Sequence, residues 1–382
     1  MNAITAPLRE LAEFEEGQAL LKKPGACVGF TGCVDSQKLH MAYGLSDGFR
    51  YKIIVTFSDL KAREIFEDYQ FYDREVTWYP AKDLIFYQAD IHGNQLVTER
   101  MKALRKIIEG KPQTVITTFA ALMSPQVLLE EIAASVIHID ADSSLNEGEL
   151  ARKLAEMGYE KNYQVDAPGQ FSIRGGIVDI FPLTDLTEEN PYRIELWGEE
   201  VESIRSFDLL SQRSVEKLNE VDIYPATEMM LSEEQKEKGL RRIEKEAKEF
   251  EEKLRSSFLT EEAHRVKTQI KELREQVMEF SQMTNLESYI RYFYEDTVSF
   301  LRFFPEGESC VFIDEGKGAG PGGGNGVPGK YGAPAGEGVY PPRTGGSALW
   351  LGGNGRLSSA YADGAVFLYG QLKCAAEATE KI

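Results

Sequence analysis

The sequence has fewer cationic than acidic side chains and no long apolar run, and each deficit excludes a class of protein. Its 382 residues carry 43 Lys and Arg against 62 Asp and Glu, a formal net charge of −19. A protein that coats nucleic acid needs surplus Lys and Arg to displace phosphate counterions, so an acidic partner here must meet a local basic patch. No run approaches the about 18 apolar residues of a membrane span, and the first 20 residues do not form a signal peptide. We therefore expect a cytoplasmic protein.

Cysteine and histidine are scarce as well, with four of each. The cysteines at positions 27, 33, 310 and 374 have neither the spacing of a zinc site nor that of a disulfide framework. The histidines are scattered and form no H-x-x-x-H pair. The sequence thus predicts reduced thiols, no metal site and no cofactor.

Periodicity divides the chain into four segments. Residues 1–127 alternate β-branched runs with helical stretches and predict an α/β domain with a mostly parallel sheet. In residues 128–226, apolar and polar side chains alternate with a period of two residues, and Gly and Pro interrupt the pattern. This predicts a small α+β domain. Residues 227–315 predict charged amphipathic helices and a returning strand, and residues 316–382, with 18 of the 34 glycines, predict an irregular tail.

Most element bounds can be predicted from the same patterns. The predicted strands are Cys27–Phe30, Tyr51–Phe57, Val76–Tyr79, Thr114–Thr118, Gln170–Arg174, Ile177–Phe181, Tyr192–Trp197, Val201–Phe207 and Ser309–Ile313. The predicted helices are Asp35–Gly44, Asp59–Tyr69, Leu96–Ile108, Glu147–Met157, amphipathic helices from Ser232 to about Phe280 with Phe258 at helical spacing, and Leu286–Phe300.

The first strand leads into a segment that has the position of a P-loop without its chemistry. A G-x-x-x-x-G-K-S/T loop needs a second glycine for close backbone approach and a lysine that pairs with the phosphates. Counted from Gly29, Val34 stands in place of that glycine and Asp35 in place of the lysine, before Ser36. Aspartate repels a triphosphate, so we expect no ATP binding of the usual kind. An ordinary strand-to-helix turn with Asp35 or Ser36 as N-cap explains the segment at least as well.

Asp314 and Glu315 follow an apolar strand and resemble a Walker B pair, in which Asp helps to hold Mg²⁺ and Glu orients water. Without a P-loop lysine such a pair has no bound triphosphate to act on. We predict a degenerate nucleotide site and no catalytic residue.

The most specific stretch is GQFSIRGGIVDIFP at 169–182, followed by PYRIELW at 191–197. Side chains alternate along a strand, so Ile194 and its neighbours two residues away face inward, whereas Arg193 and Trp197 face solvent. The same phase places Ser172 and Arg174 outward. Arginine and tryptophan are enriched in binding hot spots. By spacing alone, however, the more ordinary interpretation is that Trp197 folds over the sheet as peripheral core, with surface arginines beside it.

These segments, continued by EEVESIRSFD at 199–208 and SQRS at 211–214, resemble the second domain shared by UvrB and the N-terminal module of the bacterial transcription-repair coupling factor (Mfd). The resemblance covers about residues 10–315. It implies an α/β fold in which a degenerate RecA/helicase-like domain carries an inserted α+β domain. It also implies UvrA as partner, bound through Arg174, Arg193 and Trp197, with Trp in place of the usual Phe.

Two departures from UvrB favour the coupling-factor module. UvrB has an intact P-loop and a long aromatic hairpin, for which this chain has no room before the helix near Leu96. The resemblance therefore implies a non-catalytic module that recruits UvrA in transcription-coupled nucleotide excision repair. In the full-length family protein, further domains bind RNA polymerase and translocate double-stranded DNA with ATP. A helicase-like ATP- and DNA-binding protein of the UvrB type and a nonfunctional truncation product are the alternatives.

The tail suggests why the resemblance stops at Glu315. Residues 326–345, back-translated with permitted codons and read one nucleotide later, allow EFRESMVHRLEKGYILPGQ, which resembles the family sequence after its D-E pair. This predicts a frameshift after Glu315, with 316–382 translated out of frame and without a selected structure. A natural flexible tail is the alternative.

Overall fold

The computed structural model describes residues 3–23, 26–30, 33–81, 90–183, 190–279, 286–314, 350–351 and 366–370. The chain divides into two compact units. The first unit comprises Met1–Ala81, Gly110–Ser124 and Ser299–Ile382, and the second comprises Lys82–Glu109 and Pro125–Val298. Within the described residues, no helix is both long enough and apolar enough to cross a membrane.

The elements follow in chain order. The strands are β1 (Cys27–Phe30), β2 (Tyr51–Thr56), β3 (Thr77–Tyr79), β4 (Gln113–Thr118), β5 (Ile137–Asp140), β6 (Glu160–Lys161), β7 (Gln170–Arg174), β8 (Ile177–Phe181), β9 (Tyr192–Trp197), β10 (Glu200–Phe207), β11 (Ser214–Leu218), β12 (Glu220–Ile223), β13 (Ser309–Asp314), β14 (Trp350–Leu351) and β15 (Val366–Gly370). The helices are α1 (Ala12–Leu21), α2 (Asp35–Leu45), α3 (Asp59–Tyr69), α4 (Asp90–Ile108), α5 (Phe119–Met123), α6 (Leu129–Ala134), α7 (Glu147–Glu156), α8 (Glu233–Ser256), α9 (Thr260–Glu279) and α10 (Ile290–Phe293).

The first unit is an α/β layer structure around one sheet. Strands β13, β2, β4 and β3 run parallel as neighbours, and β15 lies antiparallel between β13 and β1. All residues of β2 except one are buried, as expected for a parallel strand that is covered on both faces. Helices α1, α2 and α3 contribute Phe14, Leu45 and Ile65 to the core. The predicted parallel α/β arrangement is confirmed.

The second unit contains an antiparallel sheet in the order β11-β10-β9-β8-β7, with the short β6 parallel to β7 at its edge. One face of this sheet packs on α7, through a core that includes Leu150, Phe171 and Ile194. Ser232 begins α8 with a capping box that Gln235 completes. Helix α8 then packs against α9, and Arg274 of α9 bonds to two glutamates of α8.

Three predicted segments differ from the structure in the type of their secondary structure. The helix expected over Leu286–Phe300 is wrong: a 3₁₀ turn and the short α10 are followed by extended chain, because the backbone of Val298 exchanges hydrogen bonds of 2.8 and 2.9 Å with Gln126. Phe258 does not continue α8 but lies in the turn to α9, with φ at +62°. In the tail, β14 and β15 are strands, since their apolar residues favour extended backbone. The remainder of 316–382 lies outside the described residues.

Candidate functional site

Strands β7, β8 and β9 bring Arg174, Arg193 and Trp197 onto one face of the second unit's sheet. The register places Asp179 of β8 directly between Ser172 of β7 and Arg193 of β9. The opposite face of the same strands forms the core, so the alternation predicted for β9 is observed. We call the exposed side of these strands the arginine face.

Asp179 is the centre of the arginine face and is completely buried. Its carboxylate accepts a hydrogen bond of 2.7 Å from Arg174 Nη2, and bonds of 2.7 and 2.8 Å from Nε and Nη2 of Arg193. The bond to Asp179 also raises the pKa of Arg193. Because a buried carboxylate without a partner is costly, the hydrogen bonds from the two arginines compensate for the burial of Asp179. Asp179 is not among the site residues predicted from the sequence, although the alternation along β8 places it on the outward face with the arginines.

Arg193 has further partners. Its Nη2 donates to Gln212 Oε1 at 2.9 Å, and its guanidinium lies 4.3 Å from the centre of the Phe207 ring. Gln212 has φ at +57° and donates from Nε2 to the Leu209 carbonyl at 2.8 Å. The Arg193 side chain is consequently only 18% exposed, against 33% for Arg174. Arg193 is an anchored side chain, whereas Arg174 is the more accessible cation.

Trp197 ends β9 and is 79% exposed. The chain turns after it through Gly198, whose φ of +66° suits a residue without a side chain. Trp197 follows Arg193 by four residues, about 13 Å along the same face. Because Trp197 is mostly exposed, the alternative in which it folds over the sheet as peripheral core is wrong. Ser172, expected at the solvent surface, is buried because it lies opposite Asp179, where the arginines converge.

The residues predicted to form a degenerate nucleotide site lie in the first unit, where β1 leads to α2. Val34 occupies the N-cap position and Asp35 is the first helical residue, so the prediction of Asp35 or Ser36 as N-cap is wrong. The Asp35 carboxylate instead lies 3.5 Å from Lys38 Nζ, one turn along the helix. Gly29 is a buried residue of β1, and Glu315 lies outside the described residues.

Lys38 was not selected from the sequence, yet it occupies the centre of this site. Its Nζ bonds to Asp314 Oδ1 at 3.0 Å, and both side chains are buried. Asp314 is the residue that would hold Mg²⁺ in a Walker B pair. Here an ammonium group of the chain itself neutralises that carboxylate.

A second polar cluster surrounds His138 on the β5–β12 ribbon. His138 Nδ1 lies 2.7 Å from Asp222, and its Nε2 lies 3.7 Å from Asp140 and 3.9 Å from Glu220. The hydrogen bond to Asp222 raises the pKa of His138. Because the His138 ring is exposed, the neighbouring carboxylates affect its protonation more than they affect the packing of the unit.

The second unit contains a segment that matches a known protein family. Residues 137–229 match the family model of the UvrB interaction domain. The chain is 34% identical over 243 residues to the transcription-repair-coupling factor of Bacillus subtilis. The aligned region covers 64% of this chain and 20% of that protein. It is 27% identical over 322 residues to that of Staphylococcus aureus strain Mu50, covering 82% of this chain and 26% of the relative.

A similarity to UvrB accompanies these matches. The UvrABC system protein B of Fervidobacterium nodosum is 28% identical over 260 residues, covering 66% of this chain and 38% of that protein. The chain spans about a fifth to a quarter of the length of the two coupling factors. The resemblance predicted from the motifs is thereby confirmed: residues 137–229 match the UvrB interaction domain, and the chain is similar to the UvrB-like N-terminal module of transcription-repair coupling factors.

Proposed function

We propose that this chain is a non-catalytic module that binds UvrA in the cytoplasm and recruits it for transcription-coupled nucleotide excision repair of DNA. The observation that carries the proposal is the arginine face, because it presents two arginines and an exposed tryptophan within a UvrB interaction domain. In a full-length family protein, RNA polymerase and double-stranded DNA would be bound by other domains.

The contacts of the arginine face suit a binding role. Asp179 and Gln212 hold the Arg193 guanidinium in one geometry before any partner arrives, so little side-chain entropy remains to be lost on binding. Two guanidinium groups share one carboxylate, which leaves a local positive charge on a chain of net charge −19. An acidic partner would be attracted to this face and repelled elsewhere. Trp197 supplies a large apolar anchor beside the cations.

The first unit supports a module without ATPase activity. A nucleotide would need a free lysine for its phosphates and a free carboxylate for Mg²⁺, but Lys38 and Asp314 are bonded to each other. A helicase-like ATPase would have to break this buried ion pair to use either residue. We infer that the site is structural and that the chain acts through binding alone.

Titration calorimetry of the full chain against UvrA tests this function. We expect Trp197→Ala and Arg174→Ala each to reduce affinity about thirtyfold, corresponding to a loss of about 2 kcal/mol at a hot-spot position. Trp197→Phe should retain most of the affinity because it keeps an aromatic anchor. The matched control is Phe71→Ala, which removes an equally exposed aromatic ring from the first unit. Absence of binding by the unmutated chain would refute the proposal and favour a nonfunctional truncation product.

A further inference from the structure

Three residues are too few to account for a specific protein interface. Stable complexes bury about 800 Å² on each partner and use roughly 20–30 residues a side. Contributions must therefore come from side chains around Arg174, Arg193 and Trp197. Exposed large apolar side chains that connect to the arginine face are the strongest candidates, because such groups in a contiguous patch mark interaction sites.

Tyr163 borders the arginine face on the β7 side. It follows β6, and the neighbouring Asn162 donates its backbone N–H to the Phe171 carbonyl at 2.9 Å, which ties this segment to β7. The Tyr163 ring centre lies 5.9 Å from Arg174 Cζ, yet the residue is 85% exposed. The ring thus contributes little to the core of the unit, while it stands beside the more accessible arginine.

Leu210 borders the arginine face on the opposite side and is 94% exposed. It lies in a turn that is held by its own polar groups: Ser211 donates to Asp208 from its backbone N–H at 2.8 Å and from its hydroxyl at 2.6 Å. The same turn supplies Gln212, which bonds to Arg193. The turn is therefore fixed to the arginine pair, and the apolar side chain at its tip is held out in solvent.

We propose that Tyr163 and Leu210 extend the UvrA-binding face, with Tyr163 as a second aromatic anchor and Leu210 as an apolar flank. This inference rests on the proposed function. It specifies the surface that would fit: a carboxylate that approaches the arginine pair, with an apolar recess on either side. Tyr163 carries the larger part because tyrosine is enriched at hot spots, whereas leucine is under-represented there.

The test is calorimetry of the full chain with UvrA, using Tyr163→Ala, Tyr163→Phe and Leu210→Ala, with Phe71→Ala as the control. We expect Tyr163→Ala to weaken binding at least tenfold, Leu210→Ala about threefold, and Tyr163→Phe and the control less than twofold. Thermal unfolding of every variant should match the unmutated chain, because these side chains are exposed.

The outcomes separate the two proposals. If the unmutated chain binds UvrA and Trp197→Ala reduces affinity about thirtyfold, but Tyr163→Ala changes affinity less than twofold, the extended face is overturned and the proposed function stands. If the unmutated chain does not bind UvrA, both are overturned.

Discussion

Replacement of Asp179 by alanine is the sharpest perturbation of the arginine face. The substitution removes a completely buried carboxylate and leaves two guanidinium groups without their shared partner. Breaking one side of a buried ion pair typically costs about 3–5 kcal/mol. Arg174 and Arg193 are partly exposed and can recover some hydration, so we expect the lower end, about 3 kcal/mol. Asp179→Asn keeps an acceptor of the same shape and should cost about 2 kcal/mol.

Hydrogen exchange of the β8 amides is the appropriate assay. The chain has two compact units, and a global unfolding signal would mix their transitions. Exchange instead reports the opening free energy of the sheet itself. A loss of about 3 kcal/mol corresponds to roughly 150-fold faster exchange in Asp179→Ala.

Glu202→Gln is the control, because Glu202 is an exposed carboxylate on β10 of the same sheet. It should change the opening free energy by less than about 0.5 kcal/mol. An effect of Asp179→Ala below about 1 kcal/mol would refute the view that this carboxylate holds the arginines in place.

Two further predictions concern the other polar sites. Lys38→Met leaves Asp314 buried without its cation and should lower the free energy of unfolding of the first unit by about 3 kcal/mol, whereas Lys38→Met with Asp314→Leu should restore most of it in urea titrations. If the double variant is as unstable as the single one, the ion pair is not the cause. For His138, NMR titration should give a pKa above the usual value of about 6.5 and a lower one in Asp222→Asn. Because the pKa of His138 is higher in the folded than in the unfolded protein, protonated His138 stabilises the fold. This contribution to the free energy of unfolding is complete below the unfolded-state pKa and disappears as pH rises through the folded-state pKa. An unchanged pKa in Asp222→Asn would contradict this assignment.

Several elements could be predicted from the sequence because their signals are local. The bounds of β7, β8 and β9 agree residue for residue with the predicted strands. Apolar and polar side chains alternate along each of them, so only one phase of the strand places the apolar side chains on the core face. The exposed side of Arg193 and Trp197 followed from the same alternation. The helix predicted over Leu286–Phe300 failed for the opposite reason, because the pairing of Val298 with Gln126 joins residues that are far apart in the chain.

The sequence by itself determined the strand pattern, the turn from β1 to α2 and which of Arg174, Arg193 and Trp197 share one face of a strand, because each depends on residues that are adjacent or two to four positions apart. Only the tertiary structure decided how those side chains are held. Asp179 became a shared acceptor because β8 lies between β7 and β9, and Gln212 reached Arg193 from a turn beyond β10. Lys38 and Asp314 meet across 276 positions because β13 returns to the sheet of β1 and β2. Ion pairs of this kind depend on the order of strands in space, which the local pattern of side chains does not encode.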